Sequence, residues 1–201
     1  VHLSSIPSLA ETVPVPPLDM DGIQRIESGW AASAATGGIQ RTILSTPVSD
    51  SIRAFQQLNP EFAEILMTDR HGRLIGASNP TTDYWQADEP WWAVAATVPS
   101  GKGHIQGLVL DESSGVMAID MAFPVYSSGH PDKLLGVLKV SLNATRFLQR
   151  AAPRPWNRAI ARDLVFPDGR VFVHINSGDK PEFAKISEDA LQKVLAEPER
   201  W

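Results

Sequence analysis

The stretch Thr81–Trp92, TTDYWQADEPWW, holds three of the chain's six tryptophans, one of its two tyrosines and the carboxylates Asp83, Asp88 and Glu89. Large rings are normally buried and acids normally solvated, so one short segment rich in both suits a pocket wall with a charged rim. Tyr84, Trp85, Trp91 and Trp92 are the candidate wall. Aromatic faces attract cations and stack on planar or sugar-like groups, each contact contributing about 0.5–2 kcal/mol. The same rings could instead cap a core. Asp88 and Glu89 either receive an amine or begin a helical turn ahead of Pro90.

Two further acids and one base join this inventory. Asp111 ends an apolar run and opens the turn DESSG. Asp120 interrupts VMAIDMAF, where an unpaired buried carboxylate would be costly. Alternation places Met117, Ile119, Met121 and Phe123 on one strand face and Ala118, Asp120 and Ala122 on the other. Small residues around one acid leave room for a ligand. Lys139 lies within GVLKVSL, and a cross-strand pair with Asp120 would satisfy both charges. No Lys or Arg occurs between Arg73 and Lys102. An aromatic wall with surplus carboxylate favours an amine-bearing or uncharged polar ligand over a dicarboxylate or phosphate.

Other chemistries find little support. The chain has no cysteine, which removes disulfides, thiol catalysis and zinc–thiolate sites. His2, His71, His104, His130 and His174 show no H-E-x-x-H spacing, so no metal site is expected. Neither a G-x-S-x-G elbow nor a phosphate-binding glycine loop is present, and no cofactor is called for. A net charge of −5 argues against nucleic acid and anionic lipid as partners. No run reaches the ~20 apolar residues of a transmembrane helix. The chain opens on Val1 without a signal-peptide pattern and reads as a mature protein or an excised segment.

The elements that must position these residues follow from periodicity. Prolines 7, 14, 16 and 17 mark an extended lead-in. Ile23, Ile26 and Trp30 fall at helical spacing behind Asp21, an expected N-cap, with Gly37-Gly38 as the stop. A second helix is expected from about Asp50 to Leu58. Residues 63–78 read as a hairpin turning at Asp69 and Gly72. A three-stranded meander follows over 104–111, 116–126 and 134–142, with turns at Ser113-Ser114-Gly115 and Ser128-Gly129-His130-Pro131. ATRFLQRAA is a short helix. DLVFPDGRVFVHIN reads as a hairpin, and a last helix starts at Ser187. The fold class is α+β on one antiparallel sheet.

The ordered set LMTDRHGRLIGAS, DYWQADEPWW, DESSGVMAIDMAFPVYSS and LLGVLKVSLN resembles the extracellular Cache domain, a PAS-like sensor module of bacterial receptors. The matching words are Tyr84, Glu89, Trp91 and Trp92, then Pro124-Val125, then Gly136-Val137. The resemblance implies a lead-in with helices over 1–49, a ligand-binding unit over 50–150, and an extension or reduced second PAS-like unit over 151–201. It implies a non-enzymatic small-molecule sensor, periplasmic or extracellular, within a membrane-tethered histidine kinase, diguanylate cyclase or chemoreceptor. A homodimer through the N-terminal helix is part of that expectation. Glu89 stands where an amino-acid-binding motif of some members carries arginine, so a bidentate grip on an α-carboxylate is not implied here. Two other classes compete. A secreted carbohydrate-binding module would present its tryptophans as an open coplanar platform. A hydrolase would need paired carboxyl groups about 5–9.5 Å apart across a cleft.

Overall fold

The period-two runs between residues 62 and 143 form one five-stranded antiparallel sheet. Its strands are β1 (Phe62–Thr68), β2 (Leu74–Ala77), β3 (His104–Asp111), β4 (Val116–Ser127) and β5 (His130–Asn143), in the order β2-β1-β5-β4-β3. The computed structural model describes residues 8, 10, 19–36, 38–111, 116–127, 130–151, 162–165, 170–174 and 182–196. Helices α1 (Met20–Thr36), α2 (Ile39–Leu44) and α3 (Pro47–Leu58) precede the sheet, and α4 (Pro90–Ala95) lies between β2 and β3. The α+β class and the five expected strands are as the sequence reads.

Both faces of the sheet are covered, which explains why β1 is buried almost without alternation. Ile65, Met67, Ile75, Leu138 and Val140 meet Val48 and Ile52 of α3 on one face. The opposite face puts Leu66, Leu74, Ala122 and Val137 against Trp30, Ile43, Tyr84, Trp91 and Ala95. Neighbouring residues of a strand thus serve different cores, and a one-residue slip in register would exchange them.

The helices start earlier than periodicity suggests, because their caps precede the apolar pattern. Asp19, rather than Asp21, caps α1: its Oδ1 accepts from Gly22 N at 2.8 Å. Helix α3 begins at Pro47, three residues before the expected start. Thr46 is its N-cap, accepting from Ser49 N at 3.2 Å, and Pro47 occupies the first turn. Helix α2 is not expected from periodicity: Gly38, which ends the first helical pattern, also serves as the N-cap of the next helix.

The chain divides into two units, Val1–Asn143 and Ala144–Trp201. The second contains α5 (Ala144–Ala151), an antiparallel sheet of β6 (Arg162–Val165), β7 (Arg170–His174) and β8 (Glu182–Lys185), and α6 (Glu188–Ala196). Ser187 Oγ accepts from Ala190 N at 3.3 Å and caps α6. Strand β8 extends the expected hairpin to three strands. The turns expected at 113–115 and 166–169, the first half of the turn expected at 128–131, and most of the proline-bearing lead-in lie outside the described residues; His130 and Pro131 already belong to β5, which starts before the expected 134.

Gly136 fixes the fit of β5 against the end of β1. A Cβ there would stand 1.8 Å from the carbonyl oxygen of Thr68, a backbone atom that cannot swing aside. Gly136→Ala is therefore expected to cost about 1–3 kcal/mol in a urea unfolding titration, the usual range for overpacking. An unchanged midpoint would show that the strands separate freely.

Candidate functional site

Thr81–Trp92 leaves the sheet at the end of β2 and returns as cover for it. Its first half runs beside the β1–β2 turn as an added stretch of pairing. Leu74 N donates to Tyr84 O at 2.9 Å and Gln86 N to Gly72 O at 2.8 Å, around an antiparallel bridge between Arg73 and Trp85. Gly72 permits this approach. Its φ is +81° and an added Cβ would lie 2.4 Å from Ala87 Cβ. The turn itself is organised by Asp69, whose Oδ1 accepts from His71 N (2.8 Å) and Arg73 N (2.9 Å). Asp69 Oδ2 accepts from Arg73 Nε at 2.7 Å, so the buried acid and base compensate each other.

Helix α1 holds the same segment from the other side. Glu27 Oε1 accepts from the backbone N–H of Tyr84 (2.8 Å) and of Trp85 (2.5 Å). Trp30 Nε1 and Gln40 Nε2 both donate to Thr81 O at 3.0 Å. The sequence reading missed Glu27, Trp30 and Gln40 as determinants of the site. A signal existed for Glu27: with Ile23 and Trp30 it falls at i, i+4 and i+7, a carboxylate in the apolar stripe.

The end of the segment, Pro90–Trp92, opens α4, with Glu89 as N-cap and Pro90 in its first turn. Trp91 and Trp92 are successive helical residues and face different spaces. Trp91 is 5% exposed and covers the strands. It meets His104, Gln106, Asp120, Met121, Ala122 and Lys139 around a recess with no room for a water-sized sphere. A register shift between Ile105 and Gly107 bulges β3 at this point. Lys139 Nζ lies 3.0 Å from Asp120 Oδ2 and 5.5 Å from the centre of the Trp91 ring. Ser141 Oγ donates to Asp120 Oδ1 at 2.7 Å. Trp92 turns away and donates from Nε1 to Thr68 Oγ1 at 2.8 Å.

The site residues named from sequence therefore separate into groups. Trp91, Asp120 and Lys139 come together over β4 and β5. Trp85 and Trp92 line a groove of about 540 Å³ beside the β1–β2 turn. Tyr84 is buried in the core, its ring centroid 5.5 Å from that of Trp30. Asp88 is exposed and lines neither the recess nor the groove. For Asp111 only the strand position, opposite Val116, is described. With Trp91 buried and Trp85 and Trp92 half-buried, these rings do not form the open platform of a carbohydrate-binding module.

Acid clusters above the recess. Burial pushes the Asp83 carboxyl up from its ordinary 3.8, against hydrogen bonds from Gln86 and Thr82 that lower it; Asp88 adds repulsion and Lys139 opposes it. Burial likewise raises Glu89, with Asp83 and Asp88 adding repulsion. Glu27 is raised by burial, partly offset by the Trp85 and Tyr84 N–H groups. A carboxyl raised in the folded state binds its proton more tightly there than in the unfolded chain. These groups therefore favour folding most at acid pH, and that contribution fades as pH rises through their raised values. Asp83→Asn is expected to melt higher than the parent at neutral pH, with the advantage vanishing near pH 4. Melting curves at the two pH values would check this, and an equal advantage at both would contradict it.

The pair beneath Trp91 generates a second expectation. Asp120→Ala leaves Lys139 without its carboxylate in a largely dehydrated place, a loss of about 3 kcal/mol. Adding Lys139→Met should recover most of that in the same unfolding assay. A double variant no better than Asp120→Ala would mean that the charge itself is not what matters.

No family profile and no curated protein matches the chain. Solved structures do. The extracellular domain of the histidine kinase rpHK1S-Z16 aligns with a TM-score of 0.58 and 18% identity, over 83% of this chain and 70% of that one. The sensory domain of the Campylobacter jejuni chemoreceptor Tlp3 aligns at 0.48 and 15%, over 85% and 67%. The ligand-binding domain of the Pseudomonas fluorescens chemoreceptor CtaA, solved with L-serine, aligns at 0.47 and 16%, over 78% and 72%. The chain shares the α+β fold of the first of these.

Proposed function

We propose that the chain is an extracytoplasmic small-molecule sensing domain of a bacterial membrane receptor. The observation that carries this reading is the charged pair Asp120–Lys139 enclosed under Trp91 by a segment tied to the leading helix. The shared fold of an extracellular histidine kinase domain supports it. In this reading the domain binds and does not catalyse, and the intact receptor is membrane-tethered and pairs through α1. A kinase, a cyclase or a chemotaxis module would receive the signal.

Lys139 indicates the ligand's chemistry. Its ammonium lies 3.0 Å from a carboxylate oxygen and 5.5 Å from the centre of an indole ring. An entering ligand ammonium would take that place, keeping the charge of Asp120 balanced and the Trp91 face occupied. Asp83, Asp88 and Glu89 nearby favour the same sign. An uncharged polar molecule is also compatible, while a dicarboxylate meets repulsion from all of them.

Ligand entry requires α4 to lift from the strands, and α4 continues a segment whose backbone is fastened to Glu27 and Trp30 of α1. A ligand that binds the lifted and closed arrangements with different affinity shifts their populations, and with them the position of α1. The energy available is no more than that difference in affinity.

A thermal-shift screen of small amines, amino acids, neutral polyols, dicarboxylates and phosphates tests the reading. A true ligand at a hundredfold its dissociation constant adds about 2.7 kcal/mol of stability. Amines or neutral polar compounds should raise the melting temperature, and Trp91→Ala should abolish the effect. Calorimetry showing tight citrate or succinate binding, weakened by Lys139→Ala and untouched by Trp91→Ala, would overturn the ligand assignment.

A further inference from the structure

The groove beside the β1–β2 turn differs in chemistry from the recess over β4 and β5. Its walls come from the start of α1 (Met20, Ile23), the turn (Arg70, His71, Arg73) and the covering segment (Trp85, Ala87, Trp92). The volume of about 540 Å³ is within the usual range for small-molecule sites. Among the described lining residues none is acidic, although the chain as a whole carries a net charge of −5. Asp83 and Glu89 interact with Lys139 of the recess, whereas the charged lining of the groove is basic.

The polar groups on these walls are already arranged. Trp85 Nε1 donates to His71 O at 2.9 Å, and Trp92 Nε1 donates to Thr68 Oγ1 at 2.8 Å. Both indoles have thus committed their only N–H donor, and what they offer a ligand is apolar ring surface. Met20 and Ile23 add aliphatic surface across the groove. Arg73 is 6% exposed, with its guanidinium against Asp69, and contributes little net charge. Arg70 is different: it is exposed, and its Nε donates to His71 Nε2 at 3.0 Å. That bond makes the His71 nitrogen an acceptor and sets the plane of the Arg70 guanidinium at the turn.

We propose that this groove is a second binding site, for a small organic anion with a flat apolar body. The body lies between the indole surfaces and the side chains of Met20 and Ile23. The anionic group reaches the turn and meets the Arg70 guanidinium, whose planar fork suits a carboxylate. This site does not depend on the assignment of the recess, and it prefers the opposite charge. The two share one element: Trp91 and Trp92 are consecutive in α4, so a molecule in the groove bears on the helix that covers the recess.

The probe is 4-hydroxybenzoate, titrated calorimetrically into the whole chain at low salt, with 4-hydroxybenzamide as its uncharged isostere. The expected result is saturable binding of the acid and at least tenfold weaker binding of the amide. Arg70→Ala, a change on an exposed turn residue, should weaken the acid about tenfold and leave the amide unaffected. Trp85→Ala should weaken both probes. Added salt should weaken the acid alone, because the guanidinium is exposed. Equal affinities for acid and amide would overturn the proposal, as would full-strength binding to Arg70→Ala. So would the absence of any heat at millimolar probe. A loss in Lys139→Ala as large as that in Arg70→Ala would place the anion over the strands and overturn it too.

Discussion

The carboxylate of Glu27 receives two consecutive backbone N–H groups from a segment more than fifty positions away in sequence, and much of the site geometry depends on that bond pair. An irregular segment cannot satisfy its own amides as a helix or strand does, and buried amides without partners are costly. Glu27 supplies partners for Tyr84 and Trp85, while Trp30 and Gln40 supply donors for Thr81 O. The segment is thereby held in one path, and its rings can be placed to either side. Burial of Glu27 raises its pKa, so the bond has an electrostatic cost that the two N–H groups only partly offset.

The sheet sorts its residues by the same economy of position. On β4, Ala118, Asp120 and Ala122 share a face with Lys139 and Ser141 of β5, and Met121 belongs to the other core. Small side chains there leave the space that Trp91 covers, and the acid within it is balanced by a cross-strand base and a hydroxyl. A buried charged pair is a weak contributor to stability compared with apolar packing. Its presence under Trp91 is compatible with the proposed exchange with a cationic ligand.

The fold was legible because its signals are local. Asp69 and Gly72 announce the β1–β2 turn, and period-two runs announce β3, β4 and β5. Asp120 and Lys139 were recognisable as a pair because alternation puts them on one sheet face. The segment was legible only as a composition. Whether Tyr84 lines a pocket or fills a core depends on Trp30, which no local pattern connects to it. Trp91 and Trp92 stand about 100° apart around the axis of α4, so one covers the strands while the other faces the groove, and composition alone does not fix that angle. Caps were misplaced for a related reason: Asp19 and Thr46 precede the apolar periodicity that betrays a helix.

The pairing of Tyr84 and Gln86 with Gly72 and Leu74 has a consequence for colloidal behaviour. An uncovered strand edge is a template onto which a second molecule can add its own strand, and aggregation follows that route. Residues 84–86 occupy the edge beside the turn with the chain's own backbone. If the whole segment peeled back to admit a ligand, that template would be uncovered at every binding cycle. A motion in which residues 84–86 keep this pairing and shift together with α1 as α4 lifts would leave the edge covered. The pairing of residues 84–86 with the turn thus covers an edge that would otherwise invite a second molecule.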